Sequence, residues 1–146
     1  MSTITLARSI KDIRRCHPVM AELRPHLDEK SFVAQVRRQQ REAGYQLACL
    51  AENGVIRSVA GFRITEFLAW GKTLYVDDLV TASSMRSRGC GQKLFAWLID
   101  RARAAGCAQF HLDSGVHRFG AHRFYLAQRM DITSHHFALV LPQSRS

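Results

Sequence analysis

Six consecutive residues, Arg86-Ser87-Arg88-Gly89-Cys90-Gly91, join an apolar run, Leu74-Tyr75-Val76-Asp77-Asp78-Leu79-Val80, to a segment with apolar residues at helical spacing. The pattern predicts strand, glycine loop, helix. The first N–H groups of a helix have no internal acceptor, and the helix dipole adds partial positive charge there, so the junction suits an anion. Glycine admits an anionic group where a Cβ would block it. Arg86 and Arg88 add full charges and forked donors. The chemistry implied is phosphate or pyrophosphate binding. Cys90 lies in the same loop, where the helix N-terminus could make its thiol more reactive than the other cysteines, although no adjacent base is visible.

Other side chains could also do chemistry. Asp77 and Asp78 are adjacent on the apolar run, so strand alternation predicts that they point to opposite faces. An aspartate there can attract an ammonium group or take its proton, or it can simply pair with an arginine. Tyr125 stands with Phe119 and Phe124 on a short helical segment, which by residue type alone reads as core. His135 and His136 alternate along a final strand; one could serve as a base near neutral pH, and a surface or satisfied histidine is the plainer reading. His111, His117 and His122 lack metal-ligand spacing. Arg118, His122 and Arg123 suit either phosphate contacts or a solvated helix face. Cys16, Cys49, Cys90 and Cys107 form no CxxC pair, which predicts reduced, mostly buried thiols rather than a disulfide framework or zinc site.

The elements that must position these groups follow from periodicity. Thr3 to Leu6 reads as a strand, and Ser9 caps a helix to about Leu23 that should kink or restart at Pro18. Asp28 or Ser31 opens a second helix, with Phe32, Val33 and Val36 inward and Gly44 at its end. Gln46 to Glu52 and Val55 to Phe67 are strands joined by Asn53-Gly54, a strong hairpin signal, with Gly61 placed for a bulge. Trp70-Gly71-Lys72 turns into the Leu74 strand. Cys90 to about Ala105 is a helix with Leu94, Leu98 and Ala102 in one row. Gln109 to Asp113 is then a strand parallel to the Leu74 strand, because a helical crossover precedes it. Gly120 to Arg129 is a short helix and Thr133 to Leu141 a last strand. The whole is a mixed α/β domain.

At 146 residues the chain suits a single domain over 1–146. No apolar stretch is long enough to span a bilayer, and Met1 to Ile10 lack the apolar core of a signal peptide, so the expected location is cytoplasmic. A net charge of +9 favours anionic partners without choosing among them. Arg37, Arg38 and Arg41, the densest basic run, read as the solvated face of a helix or, less simply, a docking patch.

Arg-x-x-Gly-x-Gly after an apolar strand resembles the coenzyme A-binding motif, Gln/Arg-x-x-Gly-x-Gly/Ala, of the GNAT superfamily of N-acetyltransferases. Leu74 to Val80 looks like that family's fourth strand. Ala121-x-x-Phe124-Tyr125 followed by an apolar strand is similar to its last helix and strand. The resemblance covers Leu74 to Leu141 by motif and the earlier part by layout. It implies the acetyltransferase fold: a twisted, mostly antiparallel sheet flanked by helices, whose fourth and fifth strands splay apart around the coenzyme's pantetheine arm. It implies acetyl-CoA as cosubstrate, held about residues 74–141 by Leu79, Val80, Arg86, Ser87, Arg88, Gly89, Cys90, Gly91 and Gln92, with no metal. A backbone N–H at Leu79 or Val80 would face the oxyanion. Tyr125 would protonate the leaving thiolate, and Asp77 matches an acidic position of the polyamine-acetylating branch. Arg118 departs from the family, many members of which carry an asparagine about there. The implied reaction is direct acetyl transfer to a primary amine of a small molecule or peptide, in a protein that could form a homodimer and engages no membrane. Two other readings stand beside it. One is a catalytically inactive coenzyme A-binding regulatory or interaction module. The other is a nucleic-acid-binding domain, suggested by charge but lacking a recognition motif or stacking platform.

Overall fold

Asn53 and Gly54 turn the chain with φ of 51° and 76°, the paired positive values that a tight hairpin needs and that Asn-Gly supplies at little steric cost. The strands they join are β2 (Gln46–Glu52) and β3 (Val55–Phe67), and β4 (Gly71–Thr81) returns antiparallel to β3. β1 (Ser2–Leu6) pairs with β2, and β5 (Gln109–Leu112) lies parallel to β4, giving the sheet order β1-β2-β3-β4-β5. The computed structural model describes residues 1–85 and 88–144, which form two units, Met1–Leu112 and Asp113–Ser146.

In the first unit, α1 (Ile10–Leu23) is capped by the Ser9 hydroxyl, which accepts from the Asp12 N–H at 3.1 Å. It runs through Pro18 without the expected restart. Pro18 lies on the exposed side of the helix, where water can satisfy the carbonyl left without its usual N–H partner. α2 (Glu29–Glu42) is capped by Asp28, which accepts from the Ser31 N–H at 2.7 Å. Arg37, Arg38 and Arg41 are exposed on it. α3 (Cys90–Ala104) is the crossover between β4 and β5.

Strand alternation divides the core in two. Ile13 and Cys16 of α1 and Phe32 and Val36 of α2 pack with Val59 and Val80. Leu94, Leu98 and Ala102 of α3 pack with Ala60, Phe62, Leu74 and Val76. Neighbours Val59 and Ala60 therefore serve opposite faces, and the row predicted for α3 is the one buried.

The second unit holds α4 (Phe119–Ala127), with Tyr125 as its buried residue. The expected strand over Thr133 to Leu141 is not formed; residues 131–144 carry no regular element. Their β-branched and aromatic composition favours a strand, but no described strand pairs with them, and a lone strand has nowhere to direct its backbone hydrogen bonds.

Candidate active site

Val76 faces Phe62 and Asp78 faces Gly61, so Asp77 is an extra residue with no counterpart on β3. This bulge overturns the expectation that Asp77 and Asp78 point apart. Both carboxylates enter one connected network. The Arg63 guanidinium grips Asp77 through Nε at 3.1 Å and Nη2 at 2.5 Å. It also lies 5.8 Å over the ring of Tyr45, whose hydroxyl donates to Asp78 at 2.8 Å. Arg24, at the C-terminal end of α1, donates to the Asp78 carboxylate at 2.8 Å and to the Asp77 carbonyl at 3.1 Å. Burial pushes the Tyr45 phenol well above its ordinary pKa, and Asp78 pushes it further, so it remains a donor. Hydrogen bonding to Asp77 raises the Arg63 pKa and keeps it charged. Asp77 thus presents its two carboxylate oxygens to two N–H donors of one guanidinium.

Gly61 makes room for this arrangement, because a Cβ there would lie 1.7 Å from the Tyr45 hydroxyl oxygen. Gly61→Ala should expel that hydroxyl, strip Asp78 of one donor and destabilise the protein by about 1–3 kcal/mol. Denaturant melts check this; parental stability would contradict so close an approach.

The same bulge opens the sheet. β4 pairs with β5 only from Thr73↔Gln109 to Val76↔Leu112. Past it, Leu79 and Val80 stay bonded to β3 on one side and lie beyond the β5 ladder on the other. Here the backbone of two predicted site residues runs along an edge with which no described strand pairs.

The glycine loop follows. Arg86 and Ser87 lie outside the described residues. Arg88 is exposed, and Gly89 sits at the mouth of α3 with φ of 83° and, its chain neighbours apart, no atom of the described residues within 4 Å of where a Cβ would stand. Gly91 does a different job: its Cβ would stand 2.9 Å from the Thr81 Oγ1, so the glycine lets α3 rest against β4. Gln92 is exposed. Cys90 is not activated as its position suggested. Burial raises its thiol pKa, and Glu52, which accepts from its Sγ at 3.4 Å, raises it further. Its side chain serves the interior and leaves only the backbone to the loop.

Arg57, unremarked in the sequence, belongs with this group. It is the residue skipped where Leu50 faces Ser58 and Ala51 faces Ile56. Its positive charge acts on Cys90, and its enclosed Nε has no hydrogen-bond partner among the described residues. An orphaned guanidinium N–H and an open, Cβ-free cradle at a helix N-terminus together fit a phosphorylated cofactor.

In the second unit, burial raises the Tyr125 pKa while the Arg118 guanidinium, hydrogen-bonded to it, pulls the other way. The net effect keeps the phenol protonated at neutral pH. His122 pairs through Nε2 with the Gly115 carbonyl at 2.8 Å, which closes the loop before α4. His136 lies 3.5 Å from Asp113 through Nδ1, and both are largely exposed. Among the described residues no group of His, Cys, Asp or Glu could hold a metal ion.

The sequence singled out Asp77 and the loop, and it did not single out Arg24, Tyr45 and Arg63, which meet the two aspartates, or Arg57. One signal was present for the bulge. Apolar residues at 74 and 76 predict another at 78, yet the next is Leu79, a break in parity that an extra residue explains.

The acetyltransferase (GNAT) family model matches residues 8–130. An uncharacterized N-acetyltransferase, YhdJ of Bacillus subtilis (strain 168), is 37% identical over 109 residues, covering 75% of this chain and 77% of that one. Among solved structures, a transcriptional regulator from Bacillus halodurans C-125 superposes with a TM-score of 0.85 at 20% identity, over 97% of this chain and 100% of that one. An aminoglycoside N-acetyltransferase in complex with CoA does so with a TM-score of 0.78 at 13% identity, over 100% and 97%.

Proposed function

This chain belongs to the acetyltransferase (GNAT) family and is an acyltransferase; on that premise we propose that it moves an acetyl group from acetyl-CoA directly to a primary amine of a small molecule or peptide. The observation that carries the reading is a pair of features on consecutive elements: a β4 edge at Leu79 and Val80 beyond the β5 ladder, and a glycine at the α3 N-terminus with open space where a Cβ would stand. The family match spans residues on both sides of Leu112, which supports a single acetyltransferase domain.

When bound, the coenzyme supplies an activated thioester. The N–H groups of Gly89 to Gln92, with Arg86, Ser87, Arg88 and Arg57, would hold its phosphates. A backbone N–H at Leu79 or Val80 donates to the carbonyl oxygen as negative charge grows there, which costs no reorganisation because β4 fixes it. Asp77 draws in the cationic acceptor, whose nitrogen must give up a proton to that carboxylate or to water before it can attack. Tyr125 gives its proton to the departing sulfur, and Arg118 offsets the burial that would otherwise make it too weak an acid. No described helix is long and apolar enough to cross a membrane, and the reading implies a cytoplasmic enzyme.

Thiol release from acetyl-CoA, measured across a panel of primary amines beside coenzyme binding, tests this. Turnover with at least one amine is expected; tight coenzyme binding without turnover would favour the inactive module instead.

Asp77 gives a finer test. Asp77→Asn should raise the acceptor KM about tenfold or more with coenzyme affinity nearly unchanged, as expected for a lost charge that recruits an ammonium group. Arg63→Gln should leave the acceptor KM equal or lower, because it frees the carboxylate. If both variants lose activity alike, the ion pair matters as structure and Asp77 is not the acceptor's partner.

A further inference from the structure

We infer that the acceptor is a small amine carrying its own acid group, a carboxylate or phosphate within a few bonds of the nitrogen, and that Arg24 binds that group. The inference rests on the acetyl-transfer reading and narrows its acceptor.

Charge around Asp77 comes in equal numbers of each sign. Arg63 grips Asp77, and Arg24 grips Asp78, so the two carboxylates bring no net negative field with them. A simple alkylamine finds its attraction to Asp77 offset by the neighbouring guanidinium groups. A diamine fares worse, because its second ammonium has to stay clear of both arginines. An amine with a negative group of its own meets both signs favourably.

Arg24 has the means to take that group. A guanidinium offers N–H donors along its side and along its end, all in one plane. The side edge of Arg24 faces β4: Nε donates to the Asp78 carboxylate at 2.8 Å and Nη2 to the Asp77 carbonyl at 3.1 Å. The end edge, Nη1 with the second hydrogen of Nη2, has no partner among the described residues. Paired N–H groups on that edge match two oxygens of a carboxylate or phosphate. The Arg24 side chain is 42% exposed and that of Asp78 only 15%, so the pair is closed toward the protein and open at the fork. The arginine is also set in place before any ligand arrives. Its backbone ends α1, where its N–H donates to the Met20 carbonyl at 2.8 Å, and its side edge is held at two points.

Spacing limits the size of the acceptor. Arg24 reaches the carbonyl of the same residue whose carboxylate draws in the amine. Both charges of the acceptor therefore fall within the span of about one residue of β4. Amino acids and aminoalkyl phosphates have that span. The amino terminus of a peptide does not qualify, because its nearest carboxyl is an uncharged amide.

Initial rates with acetyl-CoA and the full-length protein test this. Small amino acids and aminoalkyl phosphates are each set against the matching amide or alcohol, and short diamines are run beside them. The acid-bearing member should be preferred at least about tenfold in kcat/KM, and the better of the two sets identifies the acid as carboxylate or phosphate. Arg24→Lys keeps a charge opposite Asp78 and removes the fork. It should lower the ratio of acid-bearing to neutral kcat/KM about ten- to a hundredfold. Equal losses for both acceptors, or a parent that prefers a neutral amine or a diamine, overturn the inference and leave acetyl transfer standing. Titration calorimetry of the same acceptors into the coenzyme A-saturated protein separates the two readings. Arg24-dependent binding of the acid without turnover upholds the subsite and fails acetyl transfer. No preference for the acid in either measurement overturns the inference.

Discussion

Tyr125→Phe should slow acetyl transfer about a hundredfold or more while leaving the fold and coenzyme affinity nearly intact. The ring stays, and with it the buried area and the T-shaped contact with Phe124 at 5.6 Å between centroids. What goes is a hydroxyl needed only as the carbon–sulfur bond breaks, so kcat and kcat/KM should fall together. The pH profile carries a second sign. Burial raises the phenol's pKa and Arg118 only partly opposes it, so the parent should lose activity on the alkaline side as the proton leaves. The phenylalanine variant should lack that limb. Parental turnover would return Tyr125 to a packing role. Melting temperature measured beside the kinetics separates lost chemistry from lost fold.

Gly89→Asn should weaken coenzyme binding by about ten- to a hundredfold, the loss of one or two charge-assisted hydrogen bonds to backbone N–H groups. Gly89 has a left-handed φ of 83°, a conformation asparagine tolerates better than other residues with a Cβ, and at the Cβ its new side chain would meet no atom of the described residues beyond its chain neighbours within 4 Å. The fold should therefore survive while the cradle fills. Titration calorimetry with coenzyme A reads the change; an unaltered dissociation constant in a folded variant would remove this loop from the site. Gly91→Val is a poorer probe. The Cβ would press on the Thr81 hydroxyl at 2.9 Å, so lost binding could come from α3 being levered off β4.

The sequence exposed those parts of the fold whose cause is local. Ser9 and Asp28 cap their helices because their own oxygens reach N–H groups three residues on, and Asn53-Gly54 turns because its own dihedrals permit it. The parallel placement of β5 followed from the length of the crossover. The failures lie where the cause is distant. Thr133 to Leu141 has the composition of a strand but needs a partner to become one. Tyr45 and Arg24 reach Asp78 across 33 and 54 residues of chain, separations that no periodicity encodes. Cys90 was misjudged for a similar reason: its place at a helix N-terminus was legible, but the direction of its side chain, inward toward Glu52, was not. The place of Gly89 at the mouth of α3 was legible because the glycine and the helical spacing after it act through the backbone beside them.

The skipped residue in β4 has a consequence for how this enzyme can change. Leu74 and Val76 before the bulge, and Leu79 after it, all pack with the α3 side, while Val80 packs with α1 and α2. That is the facing a regular strand would have if Asp77 were simply left out. Position 77 is therefore supernumerary to the core: its side chain displaces none of the residues that hold the two layers together. Evolution can rewrite it at one codon, from carboxylate to amide or alcohol, without asking the sheet to repack. On the proposed role of Asp77 as the acceptor's partner, acceptor preference could then diverge between relatives at a place where the hydrophobic interior has no vote.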